Sequence, residues 1–173
     1  PEAVLRAAIQ DLSTHAAQNR PQEKDHWLAL RQVAPPQLPA PQWYDRDAEC
    51  SPMVALDQQF VAILDANPGL RARVGNPDEL RSNKLEHTLD LLKHRVQDPE
   101  QGISESRTGG VITALNEEAV VCAAFGNKGG INLVVTYEAF ATKMLGAMRQ
   151  ELIFARQKAE AGHAPGWLSV PVV

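Results

Sequence analysis

The sequence predicts an α/β domain: a mostly parallel sheet flanked by helices, preceded by an N-terminal arm made of a helix and a Pro-rich segment. Two observations carry this expectation. From residue 71 onward, short runs of strand character alternate with stretches whose apolar residues repeat at the helical period of about 3.6, and parallel strands need crossovers of that length. The run 131–136 is apolar at nearly every position, as a strand covered on both faces must be. A chain of 173 residues has material for one hydrophobic core without a disulfide or metal to hold it together.

In chain order, Leu5, Ala8, Ile9, Leu12 and Ala16 fall on one side of a helix and need a partner surface. Residues 23–32 read as a second helical stretch. The segment Pro35-Pro36-Gln37-Leu38-Pro39-Ala40-Pro41 lacks backbone donors at its prolines and favours extended geometry, which suits a spacer docked by Trp43 and Tyr44. The arm is therefore expected over residues 1–52 and the compact domain over 53–173. That domain opens with Leu56, Phe60, Ile63 and Leu64 on one helical face, ended by Asn67-Pro68-Gly69. Residues 71–75 read as a strand, and Pro77-Asp78-Glu79 as the start of a helix that runs through Leu85, Leu89, Leu92 and Val96.

Residues 97–110 are polar, carry Gly102, Gly109 and Gly110, and read as a surface loop. A strand is expected at 111–115. Asn116 then caps a helix that begins at Glu117 and closes at Asn127-Lys128-Gly129-Gly130. The apolar strand 131–136 follows, and after it a long helix with Phe140, Met144, Met148 and Leu152 in an i, i+4 row, ended by Gly162 and Pro165. Trp167 begins a last strand. The apolar finish at 168–173 and the start at Pro1 suggest a piece of a longer protein, with the compact domain truncated at its C-terminal end.

Charge and composition narrow the function classes. The 17 basic and 21 acidic residues nearly balance, with no Lys/Arg run of the kind nucleic-acid binding uses. Cys50 and Cys122 stand far apart without closely spaced Cys or His ligands, so no metal site is expected and a reducing compartment is. No uninterrupted apolar run approaches the ~20 residues that span a bilayer. The expectation is a cytoplasmic protein with neither nucleic-acid nor membrane partners. His15, His26, His87, His94 and His163 have no nucleophile beside them in a recognisable motif and read as solvated or structural.

Ligands of open parallel sheets bind beyond the carboxyl ends of the strands. Three corners should lie there: Asn76-Pro77-Asp78-Glu79 with Ser82, Asn116-Glu117-Glu118, and Tyr137-Glu138-Ala139-Phe140. On spacing alone each has a plain structural explanation. Two acids suit the first turn of a helix, where the dipole favours them by ~0.3–1 kcal/mol each. Glu79 and Ser82 suit a helix start, and Tyr137 and Phe140 suit a core.

Four runs in the same order, Leu56-Asp57-Gln58-Gln59-Phe60, Gly75-Asn76-Pro77-Asp78-Glu79 with Ser82-Asn83, Leu115-Asn116-Glu117, and Tyr137-Glu138-Ala139-Phe140, resemble those of phosphoketolases. The resemblance spans about residues 53–173. It implies the pyrimidine-binding domain of an enzyme that uses thiamine diphosphate and magnesium. Such enzymes cleave xylulose 5-phosphate, and often fructose 6-phosphate, with inorganic phosphate to acetyl phosphate and a shorter aldose phosphate. In that family a first domain holds diphosphate and magnesium, and the cofactor lies at a homodimer interface between domains of different subunits. The piece would supply half a site and be inactive alone.

Residue by residue, the resemblance makes Glu117 the carboxyl group that drives the aminopyrimidine towards its imino form. Tyr137 and Phe140 become the aromatic wall around that ring, and Glu79 and Ser82 polar neighbours of the cofactor and glutamate. Burial is expected to raise the Glu117 pKa. The sequence departs from the family in placing Glu118, rather than His, after the glutamate, and in the apolar Leu133-Val134-Val135, which marks a divergent branch. Two other readings remain open at this stage: a non-catalytic assembly subunit that keeps the fold, and a transketolase-like thiamine enzyme.

Overall fold

In the computed structural model, which describes residues 2–17, 35–45, 47–162 and 170–173, contacts divide the chain between Arg31 and Gln32. The first unit carries α1, Glu2–Ala17, where the apolar period places it; Val4, Leu5, Ile9 and Leu12 are exposed. The helical stretch expected at 23–32 lies outside the described residues, as do His26, His163, Pro165 and Trp167.

The second unit is built on one sheet. Strands β1 (Ala72–Asn76), β2 (His94–Arg95), β3 (Glu105–Ser106), β4 (Val111–Thr113) and β5 (Ile131–Val134) lie in the order β3-β2-β4-β1-β5, with every pairing parallel. The predicted parallel α/β sheet flanked by helices is the observed fold. Beyond β5, Val172 bridges Val134 in parallel, and the Thr136 amide donates to the Val173 carbonyl. The described end of the expected last strand thus extends the sheet.

Helices cover both faces. On one, Phe60 and Leu64 of α2 (Pro52–Ala66) and Leu89 of α3 (Glu86–Leu92) meet Val74, Val111, Leu133 and Val135. On the other, Val120, Val121 and Ala124 of α4 (Glu117–Phe125) meet Val134 of β5, Ala147 of α5 (Leu145–Glu160) and Met144 of the turn before it. Successive residues of a strand face opposite sides, so Leu133 enters one core and Val134 the other. That is why this strand is apolar in the sequence without alternation. Gly75 permits a close approach of helix to strand: a Cβ there would stand 2.6 Å from the Val120 carbonyl oxygen, so α4 lies directly on β1.

The helix expected from Pro77 through Val96 is shorter. Residues 77–84 are turns, and the helix runs only from Glu86 to Leu92, bracketed by Lys84 and Lys93 at φ 63° and 60°. Its start is set from outside. Asp57 of α2 is 1% exposed; its carboxylate accepts the His87 amide at 3.0 Å and the Thr88 amide at 2.9 Å, and contacts His87 Nδ1 at 2.8 Å. A helix N-terminus has free amides and a partial positive charge, and a buried carboxylate satisfies both. Leu80 and Leu85, both fully buried, draw the preceding turns into the core, and burial overrides the helix-start signal at Pro77. The core face Leu85, Leu89, Leu92 is as expected.

Three smaller expectations change. The segment expected as a spacer lies along α2: Asn67 exchanges two 2.8 Å bonds with the Gln37 backbone, and Gln59 Nε2 donates to the Pro39 carbonyl at 3.0 Å. Tyr44 docks, donating to Gln58 Oε1 at 2.7 Å, but Trp43 is 87% exposed and does not. The loop 97–110 contains β3, which pairs with β2. A 3₁₀ turn, Ala141–Met144, precedes α5; its tighter winding shifts the helical phase, so Met144 is buried while Phe140 and Leu152 are exposed.

Replacing Asp57 by Ala leaves two amides of α3 without acceptors and is expected to lower unfolding stability by about 2–4 kcal/mol. Urea denaturation checks this; a loss below about 0.5 kcal/mol, the range of ordinary surface changes, would remove the cap from its assigned role.

Candidate functional site

Glu117 owes its position to Asn116. That residue is extended (φ −156°, ψ 106°) and its side-chain oxygen accepts the Ala119 amide at 2.9 Å, so α4 starts immediately beyond the carboxyl end of β4, as the sequence indicates. Glu117 is the first helical residue. Its side chain is 13% exposed, and Oε1 accepts a 3.2 Å hydrogen bond from Lys143 Nζ. Its own backbone amide, and then Lys143, hold the carboxyl below the usual glutamate range, against the opposing effect of burial. The expectation that burial would raise this pKa is therefore corrected: donors at the helix start and an adjacent cation outweigh desolvation.

The aromatic corner follows β5. The Tyr137 carbonyl accepts the amides of Phe140 at 2.9 Å and Ala141 at 3.1 Å, a turn that brings both rings to the surface, Tyr137 48% and Phe140 41% exposed. They do not form a core. Lys143, on the 3₁₀ turn, holds its ammonium 4.5 Å from the centre of the Phe140 ring. Glu117 and Phe140 are thus joined through one lysine, in an arrangement that accepts a hydrogen-bonding cationic or protonated group between a carboxylate and an aromatic face.

Glu79 and Ser82 lie in the turns after β1, both exposed. The Glu79 carbonyl accepts Ser82 Oγ at 2.6 Å and Asn83 Nδ2 at 2.9 Å. Glu79 also lines a cavity of about 190 Å³ with Leu80, Arg81, Leu89, His94, Ile103 and Ser104. These contacts do not involve Glu117, Tyr137 or Phe140. Beside the cavity, Asp90 accepts Ser104 Oγ at 2.6 Å and Arg81 at 3.0 Å, and is held below the usual aspartate range chiefly by Ser104.

Two residues gain a place that sequence reasoning did not give them. Lys143 follows Phe140 by three residues, a spacing that lets an ammonium reach the ring within one turn, but its pairing with Glu117 is tertiary. His94 joins β2 to β4, its Nδ1 3.0 Å from Thr113 Oγ1. Burial pushes its pKa down, Glu105 partly restores it, and Arg81 lowers it again.

A family model described as D-xylulose 5-phosphate/D-fructose 6-phosphate phosphoketolase matches residues 54–173. The chain belongs to the phosphoketolase family. Phosphoketolases are thiamine-diphosphate-dependent lyases acting on sugar phosphates, and the parallel sheet is consistent with a pyrimidine-type domain of such enzymes. The match covers the sheet, α2 to α5 and the four runs that resemble the family. No curated protein matches the sequence. Among the described residues no helix is long and apolar enough to cross a membrane, and no three His, Cys, Asp or Glu side chains are gathered as a metal site requires.

The lowered His94 pKa has a definite sign. The unfolded chain binds this proton more readily than the folded one, so the stability involved is present above the ordinary imidazole value of about 6.5 and is lost as pH falls below it. Melting temperatures at pH 7.5 and 5.5 should fall more for the unaltered chain than for His94→Asn. Equal falls would show that His94 contributes nothing to the acid sensitivity.

Proposed function

We propose that this domain is the pyrimidine side of a thiamine-diphosphate-dependent phosphoketolase. Such an enzyme cleaves xylulose 5-phosphate or fructose 6-phosphate with inorganic phosphate to acetyl phosphate and an aldose phosphate. The supporting observation is the placement of Glu117: a mostly buried carboxylate at the start of α4, beyond the carboxyl end of a parallel strand, coupled to the Phe140 ring. The space between this carboxylate and ring already accommodates a hydrogen-bonding cation, which suits a flat aminopyrimidine whose ring nitrogen must share a proton. When bound, the cofactor would supply a carbon nucleophile for the sugar carbonyl.

The work of this chain is narrower. Glu117 would share a proton with the ring nitrogen, and Phe140 and Tyr137 would orient the ring and limit the access of water. Glu79 and Ser82 would contribute from the neighbouring turns. Magnesium and the diphosphate would be held by another domain, in a homodimer. The 173-residue chain would be inactive alone, because Leu115, at 92% exposed, and the two half-exposed rings leave the Glu117 corner open to solvent, and this chemistry needs a covered site.

In the full-length enzyme, Glu117→Gln is expected to reduce acetyl phosphate formation by about 10²–10⁴ while leaving thermal unfolding unchanged. Near-normal turnover would exclude the assigned role, whereas a full-length protein that forms no acetyl phosphate even with Glu117 intact would favour an assembly subunit. Xylulose 5-phosphate cleavage independent of inorganic phosphate would favour a transketolase-like enzyme. The isolated chain, given cofactor, magnesium and phosphate, should form no acetyl phosphate.

A further inference from the structure

The Lys143 ammonium occupies a place defined by two residues the proposed function needs: 3.2 Å from Glu117 Oε1 and 4.5 Å from the centre of the Phe140 ring. An ammonium and a protonated ring nitrogen make the same demands there, a carboxylate oxygen to accept a hydrogen bond and the negative face of an aromatic ring. Only one group at a time can fill the place beside Glu117 Oε1 and over that face of the Phe140 ring. We propose that Lys143 is an internal occupant of the pyrimidine site, a cationic latch that holds Glu117 and Phe140 together and must swing aside before an aminopyrimidine can reach them. This rests on the reading of Glu117 and Phe140 given above.

Three features support a latch over a fixed strut. The Lys143 side chain is 57% exposed and sits on a four-residue 3₁₀ turn, so its flexible stem can rotate into water without disturbing the core. Glu118 carries a second carboxylate towards the same segment: a Cβ at Gly146 would stand 3.1 Å from Glu118 Oε1, three residues beyond Lys143. It offers the displaced ammonium a nearby acceptor, and gives a purpose to an acid following Glu117.

The third feature is chemical. Lys143 adds to the backbone amide of Glu117 in favouring the ionised form; as the ammonium leaves, the carboxyl takes up a proton more readily and has one to share with a ring nitrogen. Occupancy and acid strength would change together. The latch contacts are individually weak, so their removal should tighten binding by about three- to tenfold rather than by orders of magnitude.

The probe is 4-amino-5-hydroxymethyl-2-methylpyrimidine, titrated into the 173-residue chain and followed by the ¹³C shift of the Glu117 carboxyl. The same signal, followed against pH, reports the Glu117 midpoint. Lys143→Met is expected to raise that midpoint and tighten probe binding three- to tenfold. Lys143→Arg, which keeps the cation, should match the unaltered chain, and Lys143→Gln, which loses it, should follow the methionine variant. Equal or weaker probe binding in both uncharged variants overturns the latch and leaves the pyrimidine reading intact. An unmoved midpoint overturns the latch as well. No saturable shift at Glu117 in any of the chains overturns the pyrimidine reading itself, and the latch with it.

Discussion

The close approach of α4 to β1 is the constraint from which the rest of the structure follows. β1 is the inner strand between β4 and β5, and its Gly75 lets the α4 backbone come within a distance that no side chain would allow. Because α4 begins where β4 ends, its seat on β1 determines where the helix start points. Glu117 is carried there by main-chain geometry, with Asn116 completing the turn. Val120, Val121 and Ala124 then make the second core, so the residues that position Glu117 are also those that stabilise that face.

The electrostatics of the corner follow from the same placement. A helix start supplies amides and a partial positive charge, and the 3₁₀ turn before α5 adds an ammonium. Both favour ionised Glu117, and together they outweigh the burial of its side chain. The corner thus holds a cation, the Lys143 ammonium, between the Glu117 carboxylate and the exposed Phe140 ring.

Asp57 has a comparable role on the other face. Its carboxylate joins α2 to the first amides of α3, so the two helices of that layer are held by bonds from a buried charge as well as by apolar packing. This also explains why the helix-start signal at Pro77 fails. The competing start at Glu86 has a tertiary acceptor waiting, whereas the turns before it are committed to burying Leu80 and Leu85.

What the sequence determined by itself is what local rules control. The parallel α/β class, the core row Leu85, Leu89, Leu92, the Asn116 cap and the identity of Glu117 as first helical residue are legible because apolar period, capping chemistry and crossover length act over a few residues. The family resemblance added the chemistry expected of Glu117 and the aromatic turn. Tertiary structure alone decided the strand order, the shortening of the helix to Glu86–Leu92, the docking of the Pro-rich segment on α2 and the exposure of Trp43. It also added to what the Asn116 cap does for Glu117: beside the local backbone amide, the Lys143 that favours its ionised form lies 26 residues away, and the field at a carboxylate depends on which charges folding brings near, whatever their place in the chain.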